Sequence, residues 1–221
     1  MHVRACHERH GRTALTMGNL SHITHFGLRG IDRIPFGSHA CQFYGNRDEL
    51  VGALVPYFVA GLRGNERCIW VAAPPLPARE AYRALRGSGV DNAIEQGALL
   101  VLDFDQWYAN SAGLKGNDVI KLWLKEEERA LGDGYNGLRI AGNMSFLKPA
   151  DWPTFIEYEQ AVSSHFKSRR IVALCSYMLA QRTDQQMNEV VHAHHWALKA
   201  SDVDGKWVAQ FPSQFTGIVS V

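Results

Sequence analysis

The sequence lacks the features that mark several large classes of protein. Its 23 lysine and arginine residues are balanced by 22 aspartate and glutamate residues, so the formal net charge is only +1. Binding to a nucleic-acid backbone requires a basic stripe or patch, and the charges here are interspersed. The longest apolar stretch, residues 51–62, contains Pro56 and is shorter than the roughly 20 residues of a membrane-spanning helix. The N-terminus lacks the apolar core of a secretory signal, so we expect a cytoplasmic protein that contacts neither nucleic acid nor membrane.

Cysteine is also scarce, and its spacing excludes two kinds of cross-linked fold. The four cysteines, Cys6, Cys41, Cys68 and Cys175, lie far apart and form no C-x-x-C pair. This pattern favours reduced thiols over a disulfide framework or a structural zinc site. Three of the four lie in apolar runs and are expected to be small core residues. The sequence therefore predicts neither a metal nor a cofactor.

Short apolar runs alternate with helix-like segments from about Pro35 onward. The apolar runs predict strands at residues 39–44, 68–73, 98–105, 138–146 and 170–177. Helical spacing and helix-end signals predict helices at residues 47–62, 78–85, 119–131, 152–166 and 183–198. This alternation predicts an α/β fold with a layered, mostly parallel central sheet flanked by helices.

The two ends of the chain do not share this alternation. Residues 1–30 show no periodicity and are predicted to be a disordered or loosely ordered extension. Residues 31–221 are predicted to form a single domain. Its last segment, from Ser201, carries Trp207 and Phe211 and is expected to add an edge strand.

Several short motifs occur together in the order and spacing of a known family. They are IPFGSH at residues 34–39, FY at 43–44, GL at 61–62, ERC at 66–68, GLR at 137–139, GNM at 142–144, YE at 158–159, LCSY at 174–177, and His194. Over residues 31–200 the sequence resembles the MEDS domain, the sensory domain named for methanogens, methylotrophs and the dichloromethane regulator.

The resemblance implies a degenerate relative of the RecA/KaiC-type ATPase fold, without a functional P-loop. It also implies an input module for small organic molecules, proposed to be hydrocarbon derivatives. Such domains usually accompany histidine kinases, DNA-binding domains or anti-sigma modules, and residues 201–221 are too few for an output domain. We therefore expect signalling to a separate kinase or transcription regulator. RecA-like relatives often form rings, so a homo-oligomer is compatible with the resemblance.

The turn that would hold a P-loop has the wrong residues for one. A P-loop reads G-x-x-x-x-G-K-[S/T], because backbone amides surround the phosphates and the lysine and hydroxyl reach phosphate and magnesium. Residues 44–50 read YGNRDEL, without the second glycine or the lysine, and Asp48 and Glu49 would repel a polyphosphate. The sequence therefore predicts a protein that is not an enzyme, with residual nucleotide binding as a disfavoured alternative.

Open α/β sheets bind ligands beyond the carboxyl ends of their strands. In this sequence the ligand-binding candidates at those ends combine aromatic, thioether and polar groups: Tyr44, Trp70, Asp103, Asn143, Met144 and Tyr177. The resemblance adds His194, as a hydrogen-bonding partner of a neighbouring strand or of the ligand. This mixture suits a small, partly apolar ligand, and the alternative is that the aromatic residues and the methionine are ordinary core packing.

Other polar residues allow further interpretations. Asp103 and Asp105 would share one face of an extended strand and could bind a metal or act as acid and base, or they could cap a turn. On a helix, His192 and His195 would lie close enough to supply two ligands of a metal site that needs others from elsewhere. The alternative is that they are solvated or structural histidines. A nucleophilic Cys175 assisted by His194 and Asp103 is disfavoured, because burial hides a thiol and raises its pKa.

Two charged residues in apolar surroundings, Arg139 and Glu159, are predicted to form a structural ion pair between the fourth strand and the helix that follows it. The leading functional hypothesis is a sensory protein that binds a small organic ligand. The alternative is an adaptor without ligand sensing, which would dock through the aromatic tail around Trp207 and Phe211.

Overall fold

The computed structural model describes residues 23–108, 116–200 and 205–214. Their strands and helices are, in chain order, β1 (Ile23–Leu28), β2 (Ile31–Pro35), β3 (His39–Tyr44), α1 (Arg47–Arg63), β4 (Arg67–Ala72), α2 (Ala78–Leu85), α3 (Asp91–Glu95), β5 (Leu99–Asp103), α4 (Phe104–Tyr108), α5 (Gly116–Gly132), β6 (Leu138–Asn143), α6 (Trp152–Phe166), β7 (Ile171–Met178), α7 (Asp184–Ala193), β8 (Trp196–Ala200) and β9 (Trp207–Gln210).

Seven of these strands form one sheet in the order β5-β4-β6-β7-β3-β8-β9. All neighbouring pairs are parallel except β8 and β9, which pair antiparallel at the edge. The predicted α/β architecture is confirmed. Every residue of β6 and nearly every residue of β7 is buried, because helices cover both faces of a parallel sheet.

The two faces of the sheet carry separate hydrophobic cores. On one face, which we call the α1 face, side chains of β3, β4, β6 and β7 pack against α1, α2, α3 and the β1–β2 hairpin. On the other, the α6 face, side chains of the same strands pack against α4, α5, α6 and α7. Because successive strand residues point to opposite faces, neighbouring residues of one strand contribute to different cores.

The β1–β2 hairpin is the largest departure from the sequence-based expectation. Residues 23–30 belong to the segment predicted to be loosely ordered, yet they form β1 and the turn to β2. Phe26 and Leu28 are buried against α1. Gly27 has φ +90°, and a Cβ at this position would collide with the Pro56 carbonyl oxygen of α1. Glycine here allows the hairpin to lie directly on the helix. The rest of the predicted extension, residues 1–22, lies outside the described residues.

Several element boundaries also differ from the expected ones, among them the end of β6 at Asn143, where the strand was predicted to continue to residue 146. β5 ends at Asp103 and α4 begins at Phe104, so the predicted strand over 98–105 is too long. The helix predicted over 183–198 ends at Ala193, and the parallel strand β8 follows it. The tail adds the expected edge strand as β9. None of the helices in the described ranges has the length and apolarity that crossing a bilayer demands.

Candidate functional site

The predicted ligand-binding residues divide between the two faces of the sheet. Tyr44 and Asn143 lie on the α1 face at the carboxyl edge, where the Tyr44 hydroxyl donates to Asn143 Oδ1 at 2.8 Å. The Asn143 amide donates to the Ala73 and Pro74 carbonyl oxygens at 3.0 Å each. These bonds use the polar groups of both side chains within the protein itself.

Trp70 and Asp103 have structural surroundings. Trp70 is 1% exposed and stacks on Phe58 with ring centroids 4.8 Å apart, so it is a core residue of the α1 face. Asp103 Oδ1 accepts from the Ala78 backbone N–H at 2.8 Å, at the start of α2. Asp105 lies in the first turn of α4 instead of sharing a strand face with Asp103. The turn-capping interpretation therefore describes Asp103.

The predicted ion pair between Arg139 and Glu159 is wrong, because the two side chains lie on opposite faces of the sheet. Arg139 projects from β6 to the α1 face, where its Nε donates to Glu66 Oε2 at 2.7 Å. Its remaining N–H groups donate to Glu66 Oε1, to Thr24 Oγ1 and to the carbonyl oxygens of Phe26, Tyr57 and His25.

Glu159, on α6, lies instead at the centre of a buried polar cluster on the α6 face. Its Oε2 lies 3.1 Å from His39 Nε2, 3.4 Å from His194 Nε2 and 3.8 Å from Cys175 Sγ. His39 Nε2 and Cys175 Sγ are 3.3 Å apart. All four residues are buried, and we call them the Glu159 cluster.

The far sides of both histidine rings are held by groups outside the Glu159 cluster. His39 Nδ1 lies 2.8 Å from Ser163 Oγ, and the Ser163 hydroxyl lies 2.5 Å from the Ala193 carbonyl oxygen. His194 Nδ1 lies 2.7 Å from the Val190 carbonyl oxygen. These contacts fix the orientation of each ring, so that both Nε2 atoms point toward Glu159.

Burial and mutual charge shift the pKa values within the Glu159 cluster. Burial, reinforced by the neighbouring His194, lowers the pKa of His39 to about 4. Burial raises the pKa of Glu159, but a proton on Nε2 of His194 or of His39 would more than offset burial and lower that pKa to about 2. Burial and the Glu159 charge raise the pKa of the Cys175 thiol well above its usual range. Cys175 is therefore not an activated nucleophile in this environment. Two strands, β4 and β6, separate Asp103 on β5 from Cys175 on β7.

Met144 and Tyr177 lie beside the Glu159 cluster on the α6 face. The Tyr177 ring meets the His194 ring edge-on at a centroid distance of 6.0 Å. Met144 borders a cavity of about 20 Å³ whose walls include three members of the cluster. The residues lining this cavity are His39, Tyr108, Trp123, Ile140, Ala141, Gly142, Met144, Tyr158, Glu159, Val162, Ala173, Leu174 and Cys175.

The other histidines of this region do not form the expected pair. His192 is exposed and its Nδ1 contacts the Asn188 carbonyl oxygen. His195 lies beyond the end of α7, where its Nδ1 accepts from the His39 backbone N–H at 3.1 Å. Its own backbone N–H donates to the His39 carbonyl oxygen at 2.9 Å, so His195 ties β3 to the start of β8.

The helix N-terminus in the P-loop position is occupied by the chain's own side chains. Asn46 Oδ1 accepts from the backbone N–H groups of Asp48 and Glu49 at 3.0 Å each. Glu49 Oε2 accepts from the Gly45 N–H at 2.7 Å. The amides that a P-loop offers to phosphate are thus bound to internal acceptors.

A family model matches most of the chain. The model described as the methanogen/methylotroph, DcmR sensory domain, MEDS, matches residues 38–195, which include all of the Glu159 cluster. This chain belongs to the MEDS family. Like the other residues of the cluster, His39 lies in one of the motifs that carry the family resemblance.

The fold of this MEDS domain also occurs in solved structures. One of them is a KaiC-like protein from the hyperthermophilic archaeon Pyrococcus horikoshii, with 9% sequence identity and a TM-score of 0.54. The match covers 87% of this chain and 88% of that one, which places the MEDS domain in the KaiC-like, RecA-type fold. No curated protein matches the chain.

Sequence reasoning missed three residues of these polar groups. His39 and Glu66 lie in motifs of the MEDS resemblance, but no site role was predicted for either. Ser163 lies one turn after Glu159 on α6. The signal that could have found His39 is a polar residue at the start of an otherwise buried strand, because such residues are rarely buried without a partner.

Proposed function

We propose that this MEDS domain senses a small organic molecule at the cavity beside the Glu159 cluster and signals its presence to a separate protein. The observation that carries the proposal is the composition of the cavity wall. Apolar and aromatic side chains line most of it, and His39, Glu159 and Cys175 supply polar atoms at one side. Ligand sites for small, partly apolar molecules have this composition.

The size of the cavity limits what could bind without rearrangement. At about 20 Å³, the cavity is slightly larger than the roughly 10–15 Å³ that holds one water molecule. A ligand of one or two heavy atoms could enter with little movement. A larger one would have to displace a flexible wall residue, and Met144 is the most adaptable of these.

A route for the signal follows from the elements that meet at the Glu159 cluster. Glu159 is on α6, His194 caps the end of α7, and His39 and Cys175 are on adjacent central strands. A ligand that contacts the sheet and α6 together would favour one position of the helix over another. The outer surfaces of α6 and α7 would then present that change to a partner.

Two observations argue against catalysis as the main activity. The amides of the P-loop position are bound to Asn46 and Glu49, and the Cys175 thiol is held protonated by its surroundings. We accordingly propose a sensory role without nucleotide hydrolysis.

Thermal denaturation with a panel of one-carbon and short-chain organic compounds tests this proposal. A ligand at 100 times its dissociation constant should add about 2.7 kcal/mol to the free energy of unfolding. Gly142→Ala should abolish the shift, because the new Cβ enters the cavity and lies 2.5 Å from Met144 Cε, which must move.

Gly52→Ala is the matched control, since a Cβ at Gly52 meets nothing within 4 Å, and it should retain the shift. A shift that survives Gly142→Ala would place the ligand elsewhere. If no compound of the panel shifts the denaturation temperature, that result would contradict ligand sensing and favour the adaptor alternative.

One observation supports the adaptor alternative: Val208 and Phe211, in and beside the edge strand β9, are 49% and 50% exposed.

A further inference from the structure

Four side chains of metal-ligand type converge in the Glu159 cluster. One ligand atom from each of His39, Glu159, Cys175 and His194 lies within 4.8 Å of the other three. The four residues come from β3, α6, β7 and the end of α7. Three of the four lie in helices or strands and His194 is the buried residue that caps α7, so the grouping does not depend on an exposed loop.

The proton positions on the two histidines can be assigned from their outer contacts. The Val190 carbonyl oxygen can only accept, so His194 Nδ1 at 2.7 Å donates to it. The Ser163 hydroxyl uses its one proton on the Ala193 carbonyl oxygen, so His39 Nδ1 at 2.8 Å donates to Ser163 Oγ. In a neutral imidazole the other nitrogen then carries a lone pair. Both Nε2 lone pairs face Glu159.

This arrangement brings more acceptors together than it has protons to share. The Cys175 thiol supplies one proton, whereas His39 Nε2, His194 Nε2 and the Glu159 carboxylate are all acceptors. His194 Nε2 and Glu159 Oε1 are buried and make no hydrogen bond. Buried polar atoms without partners are costly, so each one requires an explanation. A cation held by Glu159 Oε2 would accept the His194 Nε2 lone pair and would partly neutralise the carboxylate to which Oε1 belongs.

Four of the six separations between the ligand atoms lie close to those around a tetrahedral metal ion, and the other two are no longer than 4.8 Å. Zinc lies about 2.0–2.1 Å from histidine nitrogen, 2.0–2.2 Å from carboxylate oxygen and 2.3 Å from thiolate sulfur, so tetrahedral ligand atoms are roughly 3.3–3.7 Å apart. In the Glu159 cluster the separations are 3.1 Å and 3.4 Å for nitrogen to oxygen, 3.3 Å for nitrogen to sulfur and 3.8 Å for sulfur to oxygen.

Charge and ligand type point to the same class of ion. Loss of the thiol proton to solvent leaves a thiolate beside the Glu159 carboxylate, and a divalent cation brings the total charge of the buried group to zero. Imidazole and thiolate ligands favour zinc over magnesium or calcium, which prefer sets of oxygen ligands. The Nδ1 bonds to Ser163 and Val190 resemble the outer contacts that orient metal-binding histidines.

We propose that His39, Glu159, Cys175 and His194 bind one zinc-type divalent ion inside the MEDS domain. This site goes beyond the proposed sensing of an organic molecule and does not depend on it. The ion would link α6 and the end of α7 to the two central strands of the sheet.

The test uses the full chain, unfolded with a chelator present and refolded with Zn²⁺ or with Co²⁺ as a spectroscopic substitute. We expect one ion per chain, a higher melting temperature, and with Co²⁺ a thiolate charge-transfer band and the intense visible bands of tetrahedral cobalt. Absence of a retained ion after removal of the free metal would overturn the proposal.

Variants distinguish this site from metal bound by the histidines and cysteine near the N-terminus. Cys175→Ser should remove the thiolate band, whereas Cys6→Ser should keep it. Ser163→Ala removes the outer contact of His39 and the hydrogen bond to the Ala193 carbonyl oxygen but none of the four ligands, and it should weaken Zn²⁺ binding by about 10–100-fold. It therefore decides the question even if Cys175→Ser does not fold.

Two further results would contradict the proposal: a band that is lost with Cys6→Ser, or unchanged Zn²⁺ affinity in both Ser163→Ala and His194→Gln. Gly142→Ala should still bind the ion, because residue 142 supplies no ligand and a Cβ there has no atom of the four ligand residues within 4 Å. Failure of the metal site and failure of organic-ligand sensing are therefore distinguishable.

Discussion

The two faces of the sheet each bury an ionic group, and the two groups differ in how completely they are satisfied. On the α1 face, the Arg139 guanidinium is surrounded by Glu66, the Thr24 hydroxyl and three carbonyl oxygens. On the α6 face, the Glu159 cluster leaves Glu159 Oε1 and His194 Nε2 without hydrogen bonds. The first has the contacts of a structural ion pair, and the second is the group to which we assign the proposed ion.

The difference has a physical basis in the donors and acceptors present. Arginine brings five N–H donors to a region rich in acceptors, so every buried charge there finds an opposite charge or a dipole. In the Glu159 cluster the Nδ1–H groups of both imidazoles are used by Ser163 and Val190, so the inner side of the cluster holds mostly lone pairs. A group of lone pairs around one point is completed only by a cation or by added protons, and this is why we assign function to the α6 face.

The largest expected loss of unfolding free energy follows from a substitution on the α1 face. Arg139→Met leaves Glu66 buried without its partner, and breaking a buried pair in this way costs about 3–5 kcal/mol of unfolding free energy. Urea denaturation followed by circular dichroism measures it. The double variant Arg139→Met/Glu66→Met removes both charges and should recover much of the loss. A loss below about 1 kcal/mol in the single variant would contradict the structural role of this pair.

A smaller effect is expected from a methyl group placed against Arg139. A Cβ at Gly61 would collide with Arg139 Nε and lie 2.5 Å from its Cδ, and overpacking of this kind costs about 1–3 kcal/mol. Gly52→Ala in the same helix meets no neighbouring atom and should be neutral or stabilise by up to about 1 kcal/mol. The comparison of their denaturation midpoints checks the prediction, which is wrong if both variants behave alike.

The smallest change in unfolding free energy is expected for a substitution on the α6 face of the metal-free protein. Glu159→Gln replaces an acceptor with an amide that can donate to an Nε2 lone pair, so we expect a change of about 1 kcal/mol or less. Denaturation in the presence of a chelator measures it. In the same variant Zn²⁺ should stabilise less than in the unsubstituted protein. A loss near that of Arg139→Met would make Glu159 the centre of a structural ion pair instead.

The hydrophobic pattern over short stretches of sequence predicted much of the fold. The strand over 39–44 and the helices over 78–85 and 152–166 have the expected bounds, because burial on both faces leaves continuous apolar runs and amphipathic helices show their period in a short window. The β1–β2 hairpin was missed, since its packing depends on contact between Gly27 and α1, which no local pattern reports.

The candidate site was predicted less well than the fold. Met144, Tyr177 and His194 do lie together on the α6 face, but Tyr44, Trp70 and Asn143 lie on the other. The sequence paired Arg139 with Glu159 because both are charged residues in apolar surroundings. Alternation along β6 sends Arg139 to the opposite face, where Glu66 is its partner.

The sequence by itself determined the class of fold, the absence of a P-loop and the family, because these depend on residue types and on spacing along the chain. Only the tertiary structure decided which polar residues meet. The order of the strands places β3 beside β7, and this brings His39 to Cys175 across a long separation in sequence. The packing of α6 and the end of α7 on that face then brings Glu159 and His194 to them, and no sequence pattern encodes such contacts, since they depend on how the elements are arranged in space.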